Sequence, residues 1–205
     1  MKTKNPLTSW LRAFSPAGLA LILTATTCDD STGPGSGGSG VAFEFGSESF
    51  AAIGALAIDI EGHPQPDDDW AVAADPDSVG GVVVMAFRVS ETEGTGDLFV
   101  LQLQPAHTGT FAPCGPNEPC RGRLFRRWRT DLTGFDDWFE ITSGTVDVEA
   151  LGPTRVRGTL SSDLRSDGGS GNVVLSIDDG TFDVPIDDRA GGFVCGLPPS
   201  NGCLQ

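Results

Sequence analysis

Three groups of residues in this 205-residue chain have types and spacings that could do chemistry. Glu61, His63, Asp67, Asp68 and Asp69 gather carboxylates around one imidazole, as a hard cation such as calcium requires. Their spacing matches no known cation loop, and Pro64 and Pro66 among them suit an ordinary solvated loop equally well. Asp136, Asp137 and Glu140 beside Trp138 offer the two carboxylates and the aromatic platform of a glycosidase. Adjacent aspartates in a strand point to opposite faces, so Asp136 and Asp137 cannot by themselves be the pair. The third group is Arg121 to Thr130, RGRLFRRWRT. As a strand it places Arg121, Arg123, Phe125, Arg127 and Arg129 on one face and Leu124 and Trp128 on the other. Planar guanidinium forks around an exposed Phe125 could dock an anionic ligand or partner. The competing reading is that Glu118, Asp131, Asp136, Asp137 and Glu140, close in sequence, neutralise this face and leave it a solvated edge.

No cofactor is expected. Gly33, Gly35 and Gly38 match a dinucleotide fingerprint in letters only, because neither a strand nor a helix flanks them to aim backbone N–H groups at a pyrophosphate. No nucleophile elbow, zinc-protease helix or P-loop is present, and with His63 and His107 the only histidines, nothing supports a Ser-His-Asp triad. The formal net charge is −15, and all 28 acidic residues lie after Cys28 while three of the 13 basic ones lie before it. So acidic a body opposes nucleic acid and anionic membrane surfaces as partners.

The elements that must position these residues are strands. From Val41 to Gln205 short apolar runs are punctuated by Gly, Pro, Asp and Ser, with no convincing amphipathic helix, which is an all-β pattern. Val41, Phe43 and Phe45 alternate, and Phe50 to Ile60 reads as a small-residue strand interrupted at Gly54. Trp70 to Ala74, Val82 to Val89, Leu98 to Gln104, Arg121 to Thr130 and Trp138 to Thr142 follow. Val82 to Val89 is apolar enough to be buried on both faces. The expected fold is a single antiparallel β-sandwich or partly closed barrel of about ten strands, at a length usual for one domain.

Alternation is strictest from Gly144 to Ile186, where Val146, Val148, Ala150, Val156, Gly158, Leu160, Val173, Leu175, Ile177, Phe182, Val184 and Ile186 share one face. A turn at Leu151-Gly152-Pro153 would set Val148 against Val156, Glu149 against Arg155 and Asp147 against Arg157. Asp179-Gly180 suits a type I′ turn and would set Ile177 against Phe182 and Leu175 against Val184. Between the two hairpins, Asp163 to Asn172 reads first as a flexible connection and only second as a calcium loop.

The N-terminus decides the compartment. Lys2, Lys4 and Arg12 precede an apolar run from Ala17 to Leu23 and then small residues, the order of an export signal. The run is short of the ~20 residues a membrane-spanning helix needs. Residues 1–27 are therefore the expected signal peptide, and residues 28–40, beginning with Cys28 and rich in Gly and Ser, a flexible tether. Five cysteines in an exported chain leave one over. Cys114 with Cys120 and Cys195 with Cys203 form two close pairs, and local disulfides are expected among the three connectivities that four cysteines allow. Zinc is disfavoured at these spacings in an oxidising compartment.

Ala25-Thr26-Thr27-Cys28 resembles the lipobox of bacterial lipoproteins, which implies that Cys28 is lipidated and becomes the mature N-terminus. The family usually has Leu three residues before Cys and Gly or Ala just before it, where this chain has Ala25 and Thr27, and cleavage by ordinary signal peptidase near Ala25 is the alternative. Ser143-Gly-Thr-Val-Asp-Val, Arg155-Val-Arg-Gly-Thr-Leu and Asp179-Gly-Thr-Phe-Asp-Val-Pro-Ile186 are similar to the closing strands of a group of uncharacterised bacterial β-rich envelope lipoproteins, and Thr108-Gly-Thr-Phe111 to their GTY/GTF step. The resemblance runs from about Phe43 to Ile186 in weak motifs that are mostly hairpin chemistry. It implies a sandwich or barrel behind a lipid anchor and brings no catalytic residue. The expectation for function is a non-enzymatic binding or structural module of the envelope, with a glycan-acting hydrolase or, if the barrel is hollow, a lipid carrier as alternatives.

Overall fold

In a computed structural model of the protein, residues 39–54, 69–74, 80–90, 94–129, 134–166, 173–187 and 190 are described, although not the side chains of Trp128 and Arg129. All belong to one compact unit, Ser31–Gln205. Cys28, Cys195, Cys203, the tether up to residue 38 and the acidic loop as far as Asp68 lie outside the described residues.

Ten strands form one antiparallel sheet: β1 (Gly40–Phe45), β2 (Glu48–Ile53), β3 (Trp70–Ala74), β4 (Val82–Val89), β5 (Thr95–Leu103), β6 (Gly109–Phe111), β7 (Cys120–Arg129), β8 (Asp137–Leu151), β9 (Arg155–Ser166) and β10 (Val174–Pro185). Their order is β2-β1-β10-β9-β8-β7-β5-β4-β3, with β6 paired to β8. The sheet curls into a nearly closed barrel with one unsealed seam, where β3 returns beside β2 and β10. That seam carries isolated contacts: the Ala71 N–H donates to the Gly54 carbonyl at 3.1 Å, the Asp187 N–H to the Ala73 carbonyl at 2.8 Å, and Ala73 bridges Ile186 in parallel.

Alternation explains what fills the bore. Phe43 and Phe45 of β1, Phe50 of β2 and Phe99 of β5 point inward and are almost fully buried. Phe43 stacks on its cross-strand partner Phe50 with ring centroids 4.7 Å apart and meets Phe99 edge-on at 4.9 Å, so aromatic contact runs across the bore from β1 to β5. Val82, Val84 and Ala86 of β4 join this interior, while Val83, Met85 and Phe87 pack into a second apolar layer outside the barrel with Trp70, Val72, Leu98, Val100, Phe125 and Ala190. The expectation that Val82–Val89 is covered on both faces is met from Val82 to Phe87, while Val89 at its end is exposed.

Four local expectations are corrected. Gly40 is not the last residue of the tether but the first of β1; a Cβ there would sit 2.6 Å from the Ala52 carbonyl oxygen, so only glycine lets β2 approach. The β8–β9 register is offset, with Leu151 opposite Val156, Val148 opposite Gly158 and Asp147 opposite Thr159. The connection is longer than a turn at Leu151–Pro153 allows, since Gly152 donates to the Arg155 carbonyl and β8 carries a bulge between Val148 and Ala150. Asp179-Gly180 is not a turn either. It belongs to a bulge within one continuous β10, which pairs with β9 along its length and shifts register between Ile177 and Gly180. Asp179 takes φ 51° there. Aspartate tolerates the left-handed region that a bulge needs, as it does the one a hairpin needs. The inserted residue keeps Ile177, Phe182 and Val184 on the interior face although the inward positions change from odd-numbered to even-numbered; Val173 is exposed instead. Finally, β9 continues to Ser166, so Asp163 to Ser166 are strand and not loop.

Close approach at Gly158 sets the contact between β8, β9 and β10: an added Cβ would lie 2.2 Å from the Asp147 carbonyl oxygen and 2.6 Å from Phe182 Cζ. Gly158→Ala is expected to cost about 1–3 kcal/mol by overpacking. Gly152→Ala, where the nearest atom is 3.9 Å away, should be close to neutral. Urea denaturation of the two variants side by side checks this.

Candidate functional site

The arginine strand does not present the face that simple alternation predicts. Leu124 is buried in the bore and Arg121 and Arg123 point outward as expected, but Phe125 is also buried, 1% exposed, in the outer apolar layer. Phe135 tilts against it at 5.1 Å. It cannot be the exposed aromatic of a docking surface. Arg123 donates to Glu140 Oε1 through Nε at 3.3 Å and Nη2 at 3.0 Å, and its guanidinium lies 4.9 Å from the Trp138 ring centroid. Arg121 donates to the Glu118 carbonyl at 3.1 Å, and Arg127 pairs with Asp136 at 3.3 Å. The side chain of Arg129 lies outside the described residues. The acids proposed for sugar hydrolysis are thus those that answer the arginines: Glu140 holds Arg123, Asp136 holds Arg127, and Trp138 is packed beneath a guanidinium.

Opposite Asp97 of β5, strand β7 bulges, so that Arg126 and Arg127 together face one residue. Arg127 takes φ 50° at this point, and its N–H donates to Asp97 Oδ1 at 3.1 Å. Arg126 then turns to the barrel end, where its Nε donates to Asp97 Oδ1 at 3.1 Å and its Nη2 to Glu48 Oε2 at 2.8 Å. Arg88 of β4 completes the group, donating to Asp97 Oδ2 at 2.6 Å and to the Ser49 carbonyl. The two guanidiniums lie over Phe45 and Phe50, 5.2 and 5.5 Å from the ring centroids. Asp97 is only 5% exposed. A buried carboxylate is tolerable when charge and hydrogen bonds answer it together, and here three donors and two cations do so. The group caps the aromatic bore and joins β4, β5 and β7 to β2 across the seam. Sequence reasoning missed it, although two signals existed: a lone acid heading the apolar run Leu98–Leu103, and an arginine, Arg126, at the inward parity between Leu124 and Trp128.

The other singled-out residues are also placed. Asp69, the described end of the acidic loop, accepts from the Val89 N–H at 2.7 Å. His107 lies flat on Phe111 at 4.3 Å and its Nδ1 donates to the Thr108 carbonyl, an edge-packing arrangement rather than a base beside a nucleophile. Cys114 and Cys120 form the expected local disulfide, with their Cα atoms 4.5 Å apart. Among the described residues no group of three or more acids, histidines or cysteines is gathered as metal ligands.

The outer faces of β8, β9 and β10 are polar. Asp163 accepts from Ser176 at 2.8 Å and from Ser143 at 2.9 Å, one row across all three strands. These hydrogen bonds, Ser176 first and Ser143 second, hold its carboxyl below the ordinary aspartate range. Beside this row lies an open depression of about 300 Å³, lined by Thr145, Asp147, Thr159, Leu160, Ser161, Asp179, Gly180 and Thr181. Compared with protein-family models, curated proteins and solved structures, the chain matches none. The site must be judged on its own chemistry.

Two expectations follow. Asp97→Asn turns an amide N–H₂ or a weakened acceptor toward two guanidiniums; discounted because both arginines are about a quarter exposed, it should cost about 2–4 kcal/mol in urea denaturation, whereas exposed Arg127→Ala should cost under about 0.5 kcal/mol. For Asp163 the folded pKa is depressed, so its stabilising contribution is present above the unfolded value of about 4 and is lost as pH falls through the folded value. Ser176→Ala should shrink that acid-side loss, read from denaturation midpoints measured at neutral pH and below pH 4.

Proposed function

We propose that the chain is a lipoprotein of the bacterial cell envelope, anchored through lipidated Cys28 and carrying on its Gly/Ser tether a rigid β-barrel that acts by binding or by its structural presence and not by catalysis. The observation that carries the non-enzymatic part is the filled bore: Phe43, Phe50 and Phe99 are in contact across it, and the Arg88–Asp97–Arg126–Glu48 group caps its end. A lipid carrier needs an apolar cavity where these rings stand. A glycosidase needs one acid free to protonate and another free to attack, while Asp136 and Glu140 are each engaged by an arginine.

The anchoring part rests on the sequence: a basic and then apolar leader, a lipobox-like Ala25-Thr26-Thr27-Cys28, and a tether without apolar residues to bury. The Cys114–Cys120 disulfide supports export to an oxidising compartment. An anionic ligand or envelope partner at Arg121, Arg123, Phe125, Arg127 and Arg129 would have to displace Glu140 from Arg123 or Asp136 from Arg127, so the uncommitted surface of β8–β10 is the better place for a partner.

Fractionation tests the anchor. In the expected outcome the wild-type protein sediments with membranes and is released by detergent, while Cys28→Ala appears in the soluble exported fraction with its Cys114–Cys120 disulfide intact. Membrane retention of Cys28→Ala would remove the anchor from the proposal.

A further inference from the structure

The depression on the outer face of β8, β9 and β10 has a definite chemistry. Six side chains rise around it, Thr145, Asp147, Thr159, Ser161, Asp179 and Thr181, and its floor is formed at Leu160 and Gly180. Leu160 and Gly180 stand opposite each other in the ladder, and the Leu160 side chain belongs to the interior core, so these two offer the site mainly backbone. The residues are paired in rows: Asp147, Thr159 and Thr181 lie side by side across the three strands, and Thr145 lies beside Ser161. Neighbouring strands are about 4.8 Å apart and side chains on one face about 6.8 Å apart along a strand, so the two rows tile an area of the order of one sugar ring with its substituents.

One side of the depression is raised by longer, mutually paired side chains, Arg157 with Glu149 and Arg155 with Asp183. On the other side stands the row of Ser143, Asp163 and Ser176. Asp179, at the bulge in β10 and two residues before Thr181, brings the second acid to the rim. The volume, about 300 Å³, is at the small end for ligand sites, suited to a single small unit and not to a chain buried along its length.

Its lining has four hydroxyls, two carboxylates and no cation, with Leu160 the one large apolar residue at its floor. Hydroxyls both donate and accept, but carboxylates only accept, so the site has an excess of acceptors and two negative charges unanswered by its own members. Thr110 donates to Asp147 Oδ1 at a long 3.3 Å, leaving that carboxylate's second oxygen for a ligand. A bare divalent cation fits poorly, because calcium wants six to eight oxygens from several converging carboxylates, and here two acids stand on strands separated by β9. A ligand rich in hydroxyls that also carries a protonated amine fits both features.

We infer that this face binds an amine-bearing sugar unit, an ammonium paired with one of the carboxylates Asp147 and Asp179 and the hydroxyls met by Thr145, Thr159, Ser161 and Thr181. This deepens the binding-module reading and rests on it only in taking the protein to act by binding; it is independent of the anchor. Specificity would come from the ammonium, since an N-acetylated sugar keeps the hydroxyls but loses the charge that the two carboxylates answer.

The test is calorimetric titration of the purified full chain with a short glucosamine oligomer, its N-acetylated counterpart, oligolysine of equal charge, and calcium chloride. The glucosamine oligomer should bind more tightly than the other three, and more weakly as salt rises. Asp147→Asn with Asp179→Asn should weaken it roughly tenfold or more, the scale of one well-made charge-assisted contact. Asparagine also tolerates the positive φ at position 179, so the backbone should be kept. Asp137→Asn, which removes one charge from the far end of β8, should change binding less than twofold. Equal binding of the N-acetylated oligomer would overturn the role of the amine, and equal binding of oligolysine would reduce the effect to the general acidity of the chain. Preferential calcium binding, no binding of the oligomer, or an unaffected double variant with native circular dichroism would each overturn the site. None of these outcomes bears on whether Cys28 holds the protein to a membrane.

Discussion

A carboxylate taken out of water must be answered by charge and hydrogen bonds, and Asp97 imposes that requirement on four strands at once. Its Oδ1 accepts from the Arg126 side chain and the Arg127 backbone, its Oδ2 from Arg88, and the same arginines reach on to Glu48 and to the Ser49 carbonyl. The seam between β2 and β3 lacks a continuous ladder, so the barrel needs another means of holding its first hairpin against β4, β5 and β7. The charge group supplies it from the end of the bore. Because both guanidiniums also lie over Phe45 and Phe50, the polar cap and the aromatic filling fix each other: neither ring can shift without exposing an arginine's partner.

The second organising constraint is that β3, β4 and β5 are largely apolar on both faces and that β7 adds Phe125 to their outer side. Inward residues complete the bore, and outward ones, with Phe125 at the centre, form the outer layer that Trp138 and Phe135 join. This layer explains why an arginine-rich strand is stable within an acidic barrel. Arg123 lies along Trp138 with its head on Glu140, so its stem covers apolar surface while its charge is spent locally. The layer is not perfectly satisfied: Gln102 Oε1 and Arg123 Nη1 are buried without a hydrogen-bond partner, each a cost of about 1–3 kcal/mol that the surrounding apolar burial must offset.

Much of this was legible in the residues. Short apolar runs bounded by turn residues located the strands, Trp70–Ala74 and Val82–Val89 to the residue, and the unbroken apolar run of the latter announced coverage on two faces. Most of what was not legible has one physical source, the β-bulge. Asp179-Gly180 has turn chemistry because both a tight turn and a bulge need a residue that tolerates positive φ, and local sequence cannot say whether the chain reverses there or continues. The bulge in β8 displaced the expected pairing of Asp147 with Arg157, which instead joins Glu149. The bulge in β7 broke the arginine face by turning Arg126 to the cap and Arg127 to Asp136. The burial of Phe125 was hidden for a different reason: a residue on the outer face of a barrel is covered only if a second layer exists, and no periodicity within its own strand reports that.

The two polar regions of the barrel also differ in how their charges are met. At β7 the bulge draws Asp97, Arg126 and Arg127 into one group and leaves the charges around it paired, so that end is committed to holding the fold. At β10 Asp179 stands at the bulge without a cation among the residues around the depression, beside rows of threonine and serine that carry no charge to answer it. A charge left over by geometry on a rigid, well-paired part of the sheet needs no rearrangement to meet a ligand. The hydroxyl-lined face of β8 to β10, incomplete in its charge, therefore suits the inferred recognition better than the arginine-rich strand, where Arg123 and Arg127 are already paired.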